Sequence, residues 1–217
     1  MEQVDVWIQP LDVLPADLSR WFSSLASDER ARAARFHSAR HRDDYIVARG
    51  RLREILSIYL GQPPAGIEFT YGPFGKPGLL IPGVHFNVSH SGALAVYAIT
   101  RGRSVGIDIE EIRPEFSQER IAERFFSARE VGELRSLPEE AQAEAFFRCW
   151  TRKEAYVKAR GGGLSIPLDS FDVTLRAEEP AMFLRGGEGW SVRSFAVPAG
   201  YAAAIVAEGH DWELALQ

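Results

Sequence analysis

Hydrophobic and polar positions recur with two different periods along this chain of 217 residues, and the changes of period mark its elements. Residues 4–11, "VDVWIQPL", alternate with a period of two and predict a first strand. Residues 14–36 are helical in pattern, with a break near Ser27. Residues 39–61 predict an amphipathic helix that ends at Gly61, since Pro63 and Pro64 cannot continue it. A short strand over 67–72, a turn-rich loop over 72–78 ("GPFGKPG") and strands over 83–92, 93–102 and 104–112 follow. The pattern then returns to helices, over 117–126, 127–137 and 138–160. Ser127 and Glu130 have the spacing of a capping box, and the glycines 161–163 stop the last helix. Strands over 170–175, 190–197, 201–208 and 212–216 close the chain. Helices followed by antiparallel strands thus occur twice, which indicates an α+β fold. No residue-level internal repeat and no low-complexity linker is visible, so the two halves are expected to pack tightly.

One helix departs from its own pattern. At about 100° per residue, Phe146, Phe147, Trp150 and Val157 share a stripe, and Glu154 projects between Phe147 and Trp150. A carboxylate among aromatics is costly to bury unless a cation meets it. An i,i+4 salt bridge to Lys158 would supply one. It would not explain why the glutamate lies on the aromatic stripe.

Composition narrows the class. The chain is 46% hydrophobic and 25% charged, as soluble globular proteins are. Its net charge of −5 argues against a general nucleic-acid binder. The single cysteine, Cys149, forbids an intrachain disulfide and suits a reducing cytosol. No apolar run reaches the roughly 20 residues of a membrane span, and the acidic N-terminus lacks a signal-peptide pattern. Eight arginines lie between Arg30 and Arg53, whereas the whole chain has three lysines: Lys76, Lys153 and Lys158.

Three further stretches carry candidate chemistry. In "VGIDIEEI", Val105, Ile107 and Ile109 alternate with Gly106, Asp108 and Glu110, so the two carboxylates share one face about 7 Å apart. A solvated outer face is one reading; a cation between them is the other. With Glu154 they make three oxygen donors without a thiol or imidazole cluster, a set that suits Mg²⁺ completed by water and substrate phosphate. In "FNVSHSG", a strand runs into Asn87, Ser89, His90 and Ser91, whose polar groups can bind phosphate oxygens. No G-x-S-x-G elbow surrounds the serine–histidine pair, so it is not a hydrolase triad. In "GPFGKPG", Lys76 can reach a phosphate as a point charge, although the spacing is not that of a Walker loop.

The order of these motifs is more specific than any one of them: GKP, FNVSHSG, VGIDIE, then FF…WTRKEAYVKARGGGL-x-x-PL. In this order they closely resemble the 4′-phosphopantetheinyl transferase superfamily, in particular its larger, surfactin-synthetase-activating (Sfp-type) class. The resemblance implies two similar α+β halves, residues 1–103 and 104–217, with small antiparallel sheets, pseudo-twofold symmetry and a ligand cleft between them. It implies transfer of the phosphopantetheine arm of coenzyme A to a serine of an apo acyl, peptidyl or aryl carrier protein, with release of adenosine 3′,5′-bisphosphate. Carried over by motif, Asp108, Glu110 and Glu154 form the Mg²⁺ site and Lys158 contacts the pyrophosphate. Ser89, His90, Lys76 and, by a looser match, Arg32 contact coenzyme A. One basic position of some members is Glu29 here, and Arg30 or Arg35 would have to replace it. Glu154, directly or through a metal-bound water, is the candidate base for the serine.

A Mg²⁺-dependent hydrolase of coenzyme A or another diphosphate could use the same acidic site, and a non-catalytic carrier-binding module is a third reading. A carrier-docking surface would distinguish the first two; residues 124–137 are the candidate. The expected setting is a cytoplasmic monomer that meets its carrier transiently, in secondary-metabolite or fatty-acid synthesis.

Overall fold

The computed structural model describes residues 2–113 and 118–217. The chain order is β1 (Glu2–Pro10), α1 (Pro15–Ser24), α2 (Ser27–Ala33), α3 (Ala39–Leu60), β2 (Phe69–Tyr71), β3 (Pro77–Leu79), β4 (Val84–Ser91), β5 (Leu94–Arg101) and β6 (Val105–Glu111). It continues with α4 (Gln118–Phe125), α5 (Ala128–Arg135), α6 (Glu139–Arg160), β7 (Asp172–Val173), β8 (Phe183–Arg185), β9 (Trp190–Ser194), β10 (Tyr201–Glu208) and β11 (Trp212–Leu216). The expected helix from Ser117 begins at Gln118 among the described residues, and Ser117 itself lies outside them.

Two sheets carry the fold, in the orders β11-β1-β5-β4 and β6-β10-β9. Side-chain alternation assigns each strand two neighbours. On β5, Ala95, Tyr97 and Ile99 pack under α3, while Val96 and Ala98 meet the other sheet. On β6 and β10, Val105, Ile107, Ile109, Ala203 and Ile205 fill the space between the sheets, and Ala204 and Val206 face α6. The order of layers is therefore α3, first sheet, second sheet, α6, with apolar residues in each gap.

Three expectations need revision. The first sheet is mixed, because β11 pairs parallel with β1 and its last backbone donor, the Gln217 amide, bonds to Val6 at 3.0 Å. The strand expected over 170–175 contracts to Asp172–Val173, and β3 and β8 arise where only loop was expected. These are two- and three-residue ladders, too short for alternation to register.

A repeat invisible in the residues is present in the structure. Helices α3 and α6 have 22 residues each and end on left-handed glycines, Gly61 (φ 65°) and Gly161 (φ 66°). In each half a buried glutamate caps a short preceding helix and bonds to a buried cation on the long one. Glu29 accepts from the Ala26 amide and pairs with Arg49 and Arg53; Glu130 accepts from the Ser127 amide and pairs with Lys153 at 2.8 Å. Arg53 also donates to the Pro64 and Ile67 carbonyls, and Lys153 to those of Leu168 and Phe171. Lys153, the lysine between the other two in the sequence, is thus a core strut.

Candidate active site

The site exists because Gly106 lacks a side chain. A Cβ there would stand 2.1 Å from the Ala155 carbonyl oxygen and 2.2 Å from the Ala159 nitrogen. Glycine lets the α6 backbone lie directly on β6. The next residues on the same strand face, Asp108 and Glu110, then meet the next residues of the helix face, Glu154 and Lys158. From the other half, β4 approaches β6 edge to edge. Its alternate side chains reach across: Asn87 Oδ1 accepts from the Ile107 amide (2.8 Å), the Ser89 hydroxyl donates to Asp108 (2.7 Å) and that of Ser91 donates to Glu110 (2.8 Å).

These groups open on one cavity of about 500 Å³ between the halves. Asp108, Glu110, Glu154, Lys158, Ser89, His90 and Arg32 all line it. Seven positions from four separate stretches of sequence are brought together. Lys76 is not among them. Its ammonium turns into the protein and donates to the Val105 (2.9 Å) and Ala159 (3.1 Å) carbonyls, bordering a smaller adjoining cavity that also touches Glu154 and Lys158. Burial lowers its pKa to about 8.

The electrostatics converge on Asp108. It is 2% exposed; Oδ1 accepts from Lys158 (2.6 Å) and Ser89, while Oδ2 is buried without a hydrogen-bond partner among the described residues. Lys158 therefore pairs across the site rather than along its helix, and no i,i+4 bridge to Glu154 forms among the described residues. Burial, then the Asp108 charge, raise the pKa values of both Glu110 and Glu154. Burial, ahead of the Lys158 charge, lowers that of His90. An orphaned buried carboxylate oxygen between two glutamates that resist ionisation is a donor set short of positive charge. It fits a hard divalent ion, although among the described residues no three acidic or imidazole groups already form a closed cage.

The opposite end of the cavity is cationic. Arg32 lies over the Tyr45 ring at 5.3 Å, and Arg49, bonded to the Tyr71 hydroxyl, lines the cavity with them. Sequence reasoning missed Arg49. It was one of eight arginines, and only the packing of α3 against α2 singles it out. Of the replacements considered for Glu29, Arg30 bonds the Ser23 carbonyl and borders a different groove. Within residues 124–137, Phe126 and Leu134 are buried, and the exposed basic residues are Arg124, Arg129 and Arg135, the last paired with Glu119 and Glu123.

No helix of the described residues is long and apolar enough to cross a membrane. A solved structure titled as a Chronobacterium ammoniagenes ACPS–CoA complex aligns at 17% identity and TM-score 0.38, covering 51% of this chain and 99% of that one. Residues 12–101 match the family model of the 4′-phosphopantetheinyl transferase N-terminal region, and residues 104–206 that of the 4′-phosphopantetheinyl transferase superfamily. The 4′-phosphopantetheinyl transferase HetI of a Nostoc species is 40% identical over 98% of this chain and 90% of its own. The 4′-phosphopantetheinyl transferase Sfp of Bacillus subtilis is 31% identical over 89% of this chain and 86% of its own. With its motif order, its cavity and matches along nearly its whole length, the chain belongs to the 4′-phosphopantetheinyl transferase superfamily, as an enzyme of the Sfp type.

Proposed function

We propose that this transferase moves the 4′-phosphopantetheine group of coenzyme A to a serine hydroxyl of an apo carrier domain, in a Mg²⁺-dependent reaction that releases adenosine 3′,5′-bisphosphate. The observation that carries this reading is a cavity with arginines at one end and three carboxylates beside Lys158 at the other. Such a cavity suits an elongated ligand that is anionic at both ends. Asp108, Glu110 and Glu154 would hold Mg²⁺, with the unpartnered Asp108 Oδ2 as a donor left for it. When bound, the ion supplies positive charge that offsets the diphosphate.

The serine oxygen forms a bond to the phosphorus that bears pantetheine as the P–O bond to the adenosine bisphosphate breaks. Lys158 neutralises charge gathering on the departing phosphate. Glu154, whose carboxylate lines the cavity, accepts the serine proton. Ser89 and His90 orient the diphosphate, and Arg32 meets the adenosine end. Lys76 reaches coenzyme A once its ammonium leaves the two carbonyls. Residues 1–103 and 104–217 act as the two walls of the cleft. The enzyme works in the cytosol as a monomer and meets its carrier transiently, which accords with a lone, buried Cys149.

Incubation with coenzyme A, Mg²⁺ and a panel of apo carriers tests the reading. One carrier should gain the mass of a single phosphopantetheine group. Coenzyme A consumed with no carrier modified would favour the hydrolase, and no consumption at all would defeat both.

A further inference from the structure

Strands β4 and β6 belong to different sheets and are not ladder neighbours, so side chains of β4 make the join between them. Asn87 accepts from the Ile107 amide at 2.8 Å, and the Ser91 hydroxyl accepts from the Glu111 amide at 3.1 Å. Asp108 and Glu110 lie between these two attachments. A hydroxyl has a single hydrogen to give. With the Glu111 amide directed at Ser91 Oγ, that hydrogen goes to Glu110 Oε2, 2.8 Å away. Ser89 repeats the arrangement two residues earlier: it accepts from the Lys158 ammonium at 2.8 Å and donates to Asp108.

The chain fixes Ser91 in turn. The next residue, Gly92, has a φ of 57°, and a Cβ there would stand 2.5 Å from the Tyr201 hydroxyl and 2.9 Å from the Glu111 carboxyl carbon. Glycine alone lets the strand end this close to its neighbours. The Ala93 amide then donates to the Tyr201 hydroxyl at 3.0 Å. The end of β4 is therefore clamped against β6 and β10, and the Ser91 hydroxyl is a fixed point for a glutamate that otherwise has several rotamers. Glu110 lines the large cavity and Ser91 does not, so what Ser91 does for the site it does through Glu110.

Resting on the Mg²⁺ reading above, we infer that Ser91 is a positioning residue of the acidic site: it aims Glu110 at the divalent ion and so sets the affinity for Mg²⁺. Ser89 holds Asp108 and Ser91 holds Glu110, each from the opposite half. The two carboxylates on β6 are thereby oriented before an ion arrives.

The test follows Mg²⁺ binding rather than turnover. Melting temperatures are measured over a Mg²⁺ series with coenzyme A present and no carrier. Ser91→Ala should move the Mg²⁺ midpoint upward on the order of tenfold to a hundredfold, the usual cost of losing a hydrogen bond to a metal-ligating carboxylate. Ser91→Thr keeps the hydroxyl and should restore the midpoint, and Ser91→Cys, a weak donor, should fall between. In transfer assays the Mg²⁺ needed for half-maximal rate should rise by the same factor, while KM for coenzyme A at saturating Mg²⁺ stays near wild type. If Ser91→Ala lowers the melting temperature in chelator but leaves the midpoint in place, the serine only fastens the strand and the inference is wrong. If KM for coenzyme A rises at saturating Mg²⁺, the serine contacts substrate and the inference is equally wrong. A wild type whose melting temperature Mg²⁺ does not move overturns the inference together with the metal reading. A wild type with a serine-dependent midpoint that modifies no carrier counts against the transferase reading and not against Ser91.

Discussion

The two long helices run through the same construction and finish with different chemistry. Positions one hundred apart correspond: Arg53 with Lys153, Arg49 with Cys149, Gly50 with Trp150, Glu54 with Glu154 and Ile58 with Lys158. The strut is kept in both halves, a buried cation between a capping glutamate and two carbonyls. One turn before it, the first half has a guanidinium at the cavity wall. The second has a thiol fully enclosed, whose pKa burial and then Glu130 push well up. Directly after it the first half has Glu54 paired with Arg20 at 2.8 Å, and a turn beyond that Ile58 exposed to solvent. The second half has Lys158 and Glu154 facing Asp108. The skeleton is duplicated, and the acidic site belongs to one copy alone.

The strongest way to break this comparison is to remove the acidic copy's chemistry. Asp108→Ala should abolish transfer in a protein that still folds. Glu154→Gln should lower the rate by about 10² to 10⁴, the usual cost of losing a general base. It should also raise the melting temperature in chelator, because a half-buried carboxylate repelled by Asp108 is gone. Glu54→Gln, its counterpart, should leave the rate unchanged. Transfer assays and melting curves on the three variants decide the matter, and a near-wild-type rate for Glu154→Gln would remove it from the chemistry.

The struts should differ next. Lys153→Met leaves Glu130 buried without a cation, which costs about 3–5 kcal/mol. The melting temperature should fall on the order of 10 °C. Arg53→Met should cost less, since Glu29 keeps Arg49. Equal losses would mean that Arg49 contributes nothing to the first strut.

Glycine substitutions sharpen the contrast further. Gly106→Ala drives a methyl into the α6 backbone and should cost about 1–3 kcal/mol by overpacking. It should also lower kcat, because Glu154 moves relative to Asp108. Gly50→Ala meets Trp21 at 2.4 Å, far from the carboxylates, and should cost stability with kcat retained. If both variants keep kcat, the contact between β6 and α6 does not set the site.

The smallest effect concerns Lys76. Its pKa is about 8 in the folded protein and higher in the unfolded chain, so from pH 8 to about 10.5 the unfolded state binds the extra proton. Stability from this group should therefore rise with pH across that window. Denaturant melts of wild type and Lys76→Met at pH 7.5 and 10 would show a gain in the wild type that the variant lacks.

Much of the acidic site was legible because alternation alone sorts Val105, Ile107 and Ile109 from Gly106, Asp108 and Glu110. The strand ending in Asn87, Ser89 and Ser91 was legible for the same reason. The aromatic stripe of α6 singled out Glu154, which lines the cavity, but not that Lys158 would turn away to Asp108. That depends on how far β6 lies beneath the helix. Arg49 and the duplicated strut were hidden because their partners lie 20 to 24 residues away and differ in kind between halves. The carbonyls they share are backbone groups, which every residue carries.

The parallel pairing of β11 with β1 has a consequence for synthesis. Glu2 lies beside Trp212 and Val6 beside Leu216, so the first sheet gains its outer strand only when the last residues described leave the ribosome. Until then the edge of β1 offers unpaired amides and carbonyls to any other strand. A nascent chain with both long helices formed is still open at that edge, and closing it joins segments far apart in sequence, Glu2–Val6 with Trp212–Leu216, a slow step for a diffusing chain. A bulky fusion placed directly after Leu216 should therefore burden folding more than the same fusion inserted between the exposed Glu188 and Gly189.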